Sequence, residues 1–315
     1  MSKIILSSRE FKKEWLAEIA KKAPEYHFTT TTEKLDWSSV TLTIGWSKEW
    51  EEHLLSADST LKWVQSISAG VDTLPLAKFR EKNILLSNSS GIHAQAIAEH
   101  VLAAILMTTR GFTQTIKNQS LERWSAQDIH FRYLTEQEIL IVGTGHIGQK
   151  LAELLQALGA APVGINTSGH PVAGFSKTYS LDQLEEVSQK ADFVINILPL
   201  TPETTHLYDS DFFETMNPTG TFINVGRGAS VDTSALVAAL KNGQIQQALL
   251  DVFEEEPLPQ GHPLWQLENC IITPHISGMT PHFQKAFMEI FLNNLSCFVA
   301  TGELTQNQVS LTEGY

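Results

Sequence analysis

Short apolar runs alternate with helix-period segments along nearly the whole 315-residue chain, and this alternation limits the fold more than composition does. In the first part, residues 3–7 (KIILS), 40–46 (VTLTIGW), 61–68 (LKWVQSIS) and 83–89 (NILLSNS) read as strands. A long apolar helix is expected over 95–110 (QAIAEHVLAAILMTTR), followed by a loop-rich stretch to Tyr133. Six more runs follow at 138–143, 161–166, 191–199, 220–226, 247–253 and 269–275. Each is too short for a helix and apolar on both faces, as strands buried in a parallel sheet must be. An amphipathic helix over 280–303 closes the pattern and is expected to return to the first part. The chain therefore reads as an α/β protein whose second part is a doubly wound parallel sheet.

Charge and cysteine usage narrow the function classes. The formal net charge is −13 and no Lys/Arg block is present, which argues against nucleic acid or an anionic membrane as partner. No stretch reaches the roughly 18 apolar residues of a membrane span. The two cysteines, Cys270 and Cys297, offer neither a disulfide framework nor a metal-ligand pair and read as thiols in a reducing compartment. The cytoplasm is the default location, and no metal is expected.

Residues 138–157 place Gly143, Gly145 and Gly148 in a G-x-G-x-x-G pattern between the run EILIV and a helical segment. Alone the pattern is weak, but a strand before and a helix after give it meaning as a dinucleotide turn. Gly143 suits the tight turn, Gly145 close approach of a pyrophosphate, and Gly148 close helix–strand packing. The phosphates are expected on the free N–H groups around His146 and Ile147, at the positive end of the helix dipole. His146 has no second ligand at helical spacing and is not read as a metal ligand. At the end of the next run, where an acid would bind both ribose hydroxyls, stand Asn166, Thr167 and Ser168, followed by Gly169 and His170. Without a carboxylate to repel a 2′-phosphate, and with donors in its place, the turn favours NADP(H) over NAD(H). No Arg follows at once to clamp that phosphate, so NAD(H) stays open.

Three later segments fall at strand ends, where doubly wound sheets bind ligands: 224–232 (NVGRGASVD), 250–259 (LDVFEEEPLP) and 273–278 (TPHISG). Between them they offer one Arg, several carboxylates and one His, a set suited to a carboxylate-bearing carbonyl compound. Together with the glycine turn and the segments SISAGVD (66–72), GIHAQAIAEHVL (91–102) and LPLTPETTHLYD (198–209), they resemble the D-isomer-specific 2-hydroxyacid dehydrogenase family over most of the chain.

The resemblance implies two Rossmann-like domains. Residues 95–280 would form the dinucleotide-binding domain, and residues 1–94, completed by 281–315, a smaller flavodoxin-like substrate domain. It also implies reversible reduction of a small 2-oxo acid to the D-2-hydroxy acid by hydride transfer from a nicotinamide dinucleotide. Arg227 matches the arginine that anchors the substrate carboxylate, His275 the general acid/base, and Glu256 the carboxylate paired with it, whose charge favours imidazolium. Asp251 matches the residue that holds the nicotinamide carboxamide. Ser68, Ala69, Gly70 and Val71 match the substrate-domain loop whose N–H groups meet the carboxylate. Thr204 matches a residue near the cofactor phosphates, Leu198 and Pro199 the wall of the adenine pocket, and Val225 and Gly226 the cofactor-side approach to Arg227.

Other polar residues receive plainer readings. Glu254 and Glu255 are read as solvated charges, and His93, His100 and His206 as packing or surface residues. Trp46 is equally compatible with projecting toward substrate and with packing beneath it. The helix over 95–110 is too apolar for a simple surface element and is expected to pack on another domain or at a homodimer interface. No basic cluster near SAGVD suggests a phosphate pocket, which favours an unphosphorylated acid such as glyoxylate, hydroxypyruvate or a branched 2-oxo acid. A dinucleotide-sensing, corepressor-like binding protein is the alternative from another functional class.

Overall fold

The structure is a computed structural model that describes residues 3–127 and 129–312. The chain divides into two compact units, residues 1–92 with 280–315 and residues 93–279.

The first unit is built on strands β1 (Lys3–Ser7), β2 (Tyr26–Thr29), β3 (Val40–Ile44), β4 (Trp63–Gln65) and β5 (Leu85–Ser87). They form a parallel sheet in the order β2-β1-β3-β4-β5, the flavodoxin-like order. Alternation along each strand sends neighbouring side chains to opposite faces. Ile5, Leu42 and Trp63 enter one core while Leu6 and Val64 enter the other, which Val40 joins across an irregularity in the β1–β3 register. The C-terminal helix Phe283–Thr301 completes the first of these cores with Phe287, Met288, Phe291, Leu295 and Phe298. Phe291 stacks on Trp63 at 5.4 Å. At about 1.5–3 kcal/mol for each large apolar side chain removed from water, these residues secure the helix to this unit.

The second unit contains β6 (Ile139–Val142), β7 (Val163–Asn166), β8 (Lys177–Ser180), β9 (Phe193–Asn196), β10 (Thr221–Asn224), β11 (Gln247–Leu250) and β12 (Cys270–Ile272). Their order in the sheet is β12-β11-β10-β9-β6-β7-β8, with every pair parallel. The connection order reverses between β6 and β9, which places a topological switch point beside the glycine turn. Leu140, Val142, Val194, Phe222 and Leu250 face one apolar layer; Ile139, Ile141, Ile195, Ile223 and Leu249 face the other. A sheet buried on both sides explains why these strands read as unbroken apolar runs.

Two strands were not expected from the sequence, β2 (YHFT) and β8 (KTYS), and both lie at sheet edges. An edge strand is paired on one side only and tolerates polar, partly exposed residues, so it need not carry an apolar run, although the edge strands β5 and β12 do. The apolar helix spans Ala94–Thr109. Its Ile97, Ala98, Val101, Ala104 and Ile105 pack on the second unit's own sheet and on Leu151, Ala152 and Leu155 of the helix His146–Ala157. Its hydrophobicity is thus largely accounted for within one unit. Among the described residues no helix is long and apolar enough to cross a membrane.

Candidate active site

The glycine turn has the geometry that its sequence requires. Gly143 adopts φ +112°, open to glycine and costly for other residues. A Cβ on Gly148 would lie 2.0 Å from the Gly143 carbonyl oxygen, so turn and helix meet at a distance only glycine allows. Gly145, the N-cap of the helix His146–Ala157, has open space where its Cβ would be. No side chain caps that helix and no acid occupies its first turn, so its first N–H groups are available to an anion. These residues fit the pyrophosphate of a dinucleotide.

At the end of β7, the Asn166 amide holds its own turn together. Its nitrogen donates to the His170 carbonyl at 2.9 Å and to Thr144 Oγ1 at 3.3 Å, and its oxygen accepts from Ser168 N–H at 3.3 Å. Asn166 is accordingly buried. The outward polar groups here are exposed Thr167, the Ser168 hydroxyl and the His170 ring, the last two 3.0 Å apart. Thr204 is also turned inward, donating to the Pro199 carbonyl at 2.8 Å and accepting from Thr201 N–H at 2.7 Å. Leu198 N–H donates to Asn196 Oδ1 at 3.1 Å, which fixes the start of the Leu198–Pro199 segment.

Arg227 follows β10 on a loop held by a buried polar network that sequence reading missed. Asn196 and Asn224 are register partners at the ends of β9 and β10. The Asn196 amide donates to Asn224 Oδ1 at 2.9 Å and Ser230 Oγ at 2.8 Å, while Tyr208 OH donates to Asn196 Oδ1 at 3.2 Å. Asn224 Nδ2 and Ser230 Oγ both donate to the Arg227 carbonyl, at 3.1 and 2.6 Å. Gly226 N–H donates to Asn224 Oδ1 at 3.1 Å, so Val225–Arg227 is fixed from below. Complete burial raises the Tyr208 pKa and keeps the phenol a neutral donor. A legible signal existed: two successive buried runs, FVIN and TFIN, each end in Asn where an apolar residue would be ordinary.

The loop carrying Arg227 rests directly on the loop carrying Glu256. A Cβ on Gly228 would lie 1.9 Å from the Phe253 carbonyl carbon. Phe253 N–H in turn donates to Glu256 Oε1 at 2.9 Å, and Glu256 Oε2 lies 2.7 Å from His275 Nδ1. Both side chains of this pair are partly open to solvent. His275 has φ +55°, a left-handed conformation that costs a non-glycine residue about 1–2 kcal/mol.

Glu254 departs from the expectation of a solvated charge. It lies 2.7 Å from His206 Nε2 and accepts from Thr233 N–H at 2.9 Å, tying three loops together. Burial alone would raise its pKa, but the bonds from Thr233 and His206 outweigh burial and lower it. His93 and His100 also do more than pack: His93 Nδ1 lies 2.7 Å from the Gly278 carbonyl, and His100 Nε2 lies 3.4 Å from Thr273 Oγ1.

Asp251, just past β11, is buried and receives bonds from the His275 loop. Oδ1 accepts from Thr273 Oγ1 at 2.5 Å and Ile276 N–H at 2.9 Å, and Oδ2 accepts from Ser277 N–H at 2.9 Å. Burial opposes its charge, yet the donors from Ser277, Thr273 and Ile276 prevail and hold its pKa below the usual carboxylate value.

In the first unit, Ser68–Val71 follow β4. Ser68 N–H donates to Ser66 Oγ at 3.2 Å, Asn88 Nδ2 donates to the Ala69 carbonyl at 2.8 Å, and Val71 is buried in that unit's core. Trp46 packs edge-on against Phe79 at 4.9 Å, and its Nε1 is buried without a hydrogen-bond partner among the described residues.

Comparison with known proteins supplies the family. Residues 102–277 match the model described as "D-isomer specific 2-hydroxyacid dehydrogenase, NAD binding domain". The chain belongs to the D-isomer specific 2-hydroxyacid dehydrogenases. It is 34% identical over 261 residues to glyoxylate/hydroxypyruvate reductase B of Citrobacter koseri, covering 80% of this chain and 79% of that one. Among solved structures, the D-isomer specific 2-hydroxyacid dehydrogenase of Xanthobacter autotrophicus Py2, in complex with NADPH and MES, superposes with a TM-score of 0.85. It is 27% identical, covering 100% of this chain and 99% of that one. Phosphoglycerate dehydrogenase of Lactobacillus plantarum is 40% identical, with a TM-score of 0.59 over 98% of this chain and 100% of that one. This dehydrogenase is thus a 2-oxo acid reductase that works with a nicotinamide dinucleotide.

Proposed function

We propose that the chain reduces a small unphosphorylated 2-oxo acid, of the glyoxylate or hydroxypyruvate kind, to the D-2-hydroxy acid with NADPH. The observation that carries this reading is the His275–Glu256 pair, 2.7 Å apart on a loop that abuts the Arg227 turn. In this reading the 93–279 unit holds the dinucleotide on Gly143, Gly145, His146, Ile147 and Gly148, and the other unit serves the substrate. The bound cofactor supplies the hydride. Arg227 anchors the planar carboxylate through its guanidinium fork and orients the adjacent carbonyl. His275 donates a proton to the carbonyl oxygen as its carbon is reduced, and recovers one in the oxidative direction. Glu256 holds Nδ1 and so orients the ring with Nε2 as the donor. In the segment Ser68–Val71, the backbone N–H groups of Ala69, Gly70 and Val71 are suited to a carboxylate, while Ser68 N–H is engaged by Ser66 Oγ.

The preference for NADP(H) rests on the end of β7. No carboxylate stands there to repel a 2′-phosphate, and Ser168 with His170 offers polar groups for one. Asn166 supports this indirectly, because its amide shapes the turn that presents them. The Xanthobacter protein, described with NADPH, is consistent with that preference. The names of the relatives divide on substrate. The lack of a basic cluster around 66–72 favours the glyoxylate/hydroxypyruvate class over a phosphorylated acid.

The test is loss of reduced-cofactor absorbance with glyoxylate, hydroxypyruvate, a branched 2-oxo acid and 3-phosphohydroxypyruvate, each with NADPH and NADH. Higher kcat/KM for an unphosphorylated acid with NADPH is expected. Preference for NADH, or for the phosphorylated acid, overturns the corresponding half of the proposal. Oxidation of neither cofactor with any acid overturns the enzymatic reading.

A further inference from the structure

The acid/base histidine has a backbone conformation that L-residues avoid, so something must hold it there. Within its own loop the main chain has one bond, from His275 N–H to the Thr273 carbonyl at 3.1 Å, and Glu256 binds the ring, not the main chain. The restraint comes from Asp251. Its backbone carbonyl accepts His275 N–H at 2.9 Å. Its carboxylate accepts the N–H groups of Ile276 and Ser277, the two residues after the histidine, both at 2.9 Å. It also accepts the hydroxyl of Thr273, two residues before, at 2.5 Å. One buried side chain therefore grips the loop on both sides of the position with φ +55°. Three of the roughly four acceptor sites of a carboxylate are taken by this loop.

We propose that Asp251 is a positioning residue for proton transfer: its buried carboxylate locks residues 273–277 so that His275 meets Glu256 in the productive orientation. This inference rests on the acid/base role given to His275 above and adds to the nicotinamide contact that family resemblance assigns to Asp251. The carboxylate is suited to the task because it only accepts. An amide in its place turns one oxygen into a donor that faces a backbone N–H, and one of the three loop bonds must break. The other titratable groups facing this loop are Glu256, His100 beside Thr273, and His93 at the Gly278 carbonyl. These two histidines, at the N-cap of the helix Ala94–Thr109 and within it, brace the ends of the loop but do not touch the carboxylate.

Asp251→Asn tests the proposal against a purely cofactor-binding role. With the loop released, the His275–Glu256 contact loosens and imidazolium loses its partner. The expected result is a fall in kcat of the order of 10² or more, larger than any loss of NADPH affinity read by fluorescence titration. The alkaline limb of the reductive kcat/KM profile should also move to lower pH, in the same direction as in Glu256→Gln. Thr273→Val, which deletes one donor and leaves the carboxylate intact, should shift the limb the same way by less, and Thr273→Ser should restore it. The threonine pair keeps the test usable if Asp251→Asn does not fold. Weakened NADPH binding with the limb in its wild-type place overturns this inference and leaves the catalytic assignment standing. If His275→Ala retains wild-type activity, the catalytic assignment itself has failed.

Discussion

At the residue scale, the proposed proton transfer turns on the 2.7 Å contact between Glu256 and His275. Reduction consumes the imidazolium proton, so reductive kcat/KM must fall once rising pH deprotonates the ring. Glu256→Gln keeps the size and the hydrogen bond of the partner but removes the charge that favours imidazolium. The reductive limb should then move to lower pH, and oxidation, which needs neutral imidazole, should extend to lower pH. The measurement is the pH dependence of kcat/KM in both directions, and an unmoved reductive profile shows that Glu256 does not govern His275. The candidate residues stood out in the sequence because their types are chemically demanding, a planar cation, a carboxylate and an imidazole at strand ends, and the structure brings the last two together. The residues that hold them did not. Asn196, Asn224, Tyr208 and Ser230 act on the Arg227 loop through its carbonyl, and a side chain that serves a backbone atom leaves little trace in spacing. Glu254 misled for a related reason. Within a run of three acids nothing separates the one that faces solvent from the one that ties Thr233 to His206.

At the element scale, legibility followed burial. Every central strand announced itself by an apolar run, because a sheet covered on both faces rejects polar residues. Edge strands β2 and β8 did not, and their ends matter: β8 pairs with β7 from Val163↔Lys177 to Asn166↔Ser180, alongside the turn read as the ribose site. The glycine turn was legible from its strand–turn–helix context, and Gly143 and Gly148 each answer a separate steric demand. That gives a graded prediction. Gly148→Ala places a methyl 2.0 Å from the Gly143 carbonyl oxygen, a backbone atom that cannot rotate away. The turn must open, which displaces the N–H groups at the start of the helix His146–Ala157. Dinucleotide affinity should fall at least tenfold, about 1.4 kcal/mol by the usual conversion. Gly145→Ala meets open space and should leave thermal stability near wild type while weakening dinucleotide binding, because the added methyl occupies the approach to the helix terminus. Equal loss of melting temperature in both variants would show that the turn is only structural.

At the scale of the whole molecule, the distribution of apolar surface argues for association. The helix Ala94–Thr109 satisfies most of its apolar face inside its own unit, so it gives a weaker argument for a second subunit than its composition suggested. The stronger argument comes from the segment after it. Phe112, Ile116 and Leu121 each remain more than half exposed, as do Phe131 and Tyr133, and Trp124 is fully exposed. Phe112 and Ile116 are four residues apart on the helix Phe112–Ser120 and share a face. Single exposed apolar residues are ordinary, but several large ones within 22 residues of chain are the usual mark of an interaction surface. With a net charge of −13, nonspecific clumping is disfavoured and a self-complementary patch is the economical occupant of that surface. We therefore propose a homodimer that uses residues 112–133 together with the flank of the Ala94–Thr109 helix. Sedimentation equilibrium of the wild type at micromolar concentration should give twice the chain mass of 35.0 kDa. Phe112→Glu with Ile116→Glu adds two negative charges to one face without touching a buried residue, so the variant should fold with an unchanged circular dichroism spectrum and sediment as a monomer. A wild-type chain that is already monomeric at that concentration rejects the dimer, and a dimer that survives the double substitution puts its interface elsewhere.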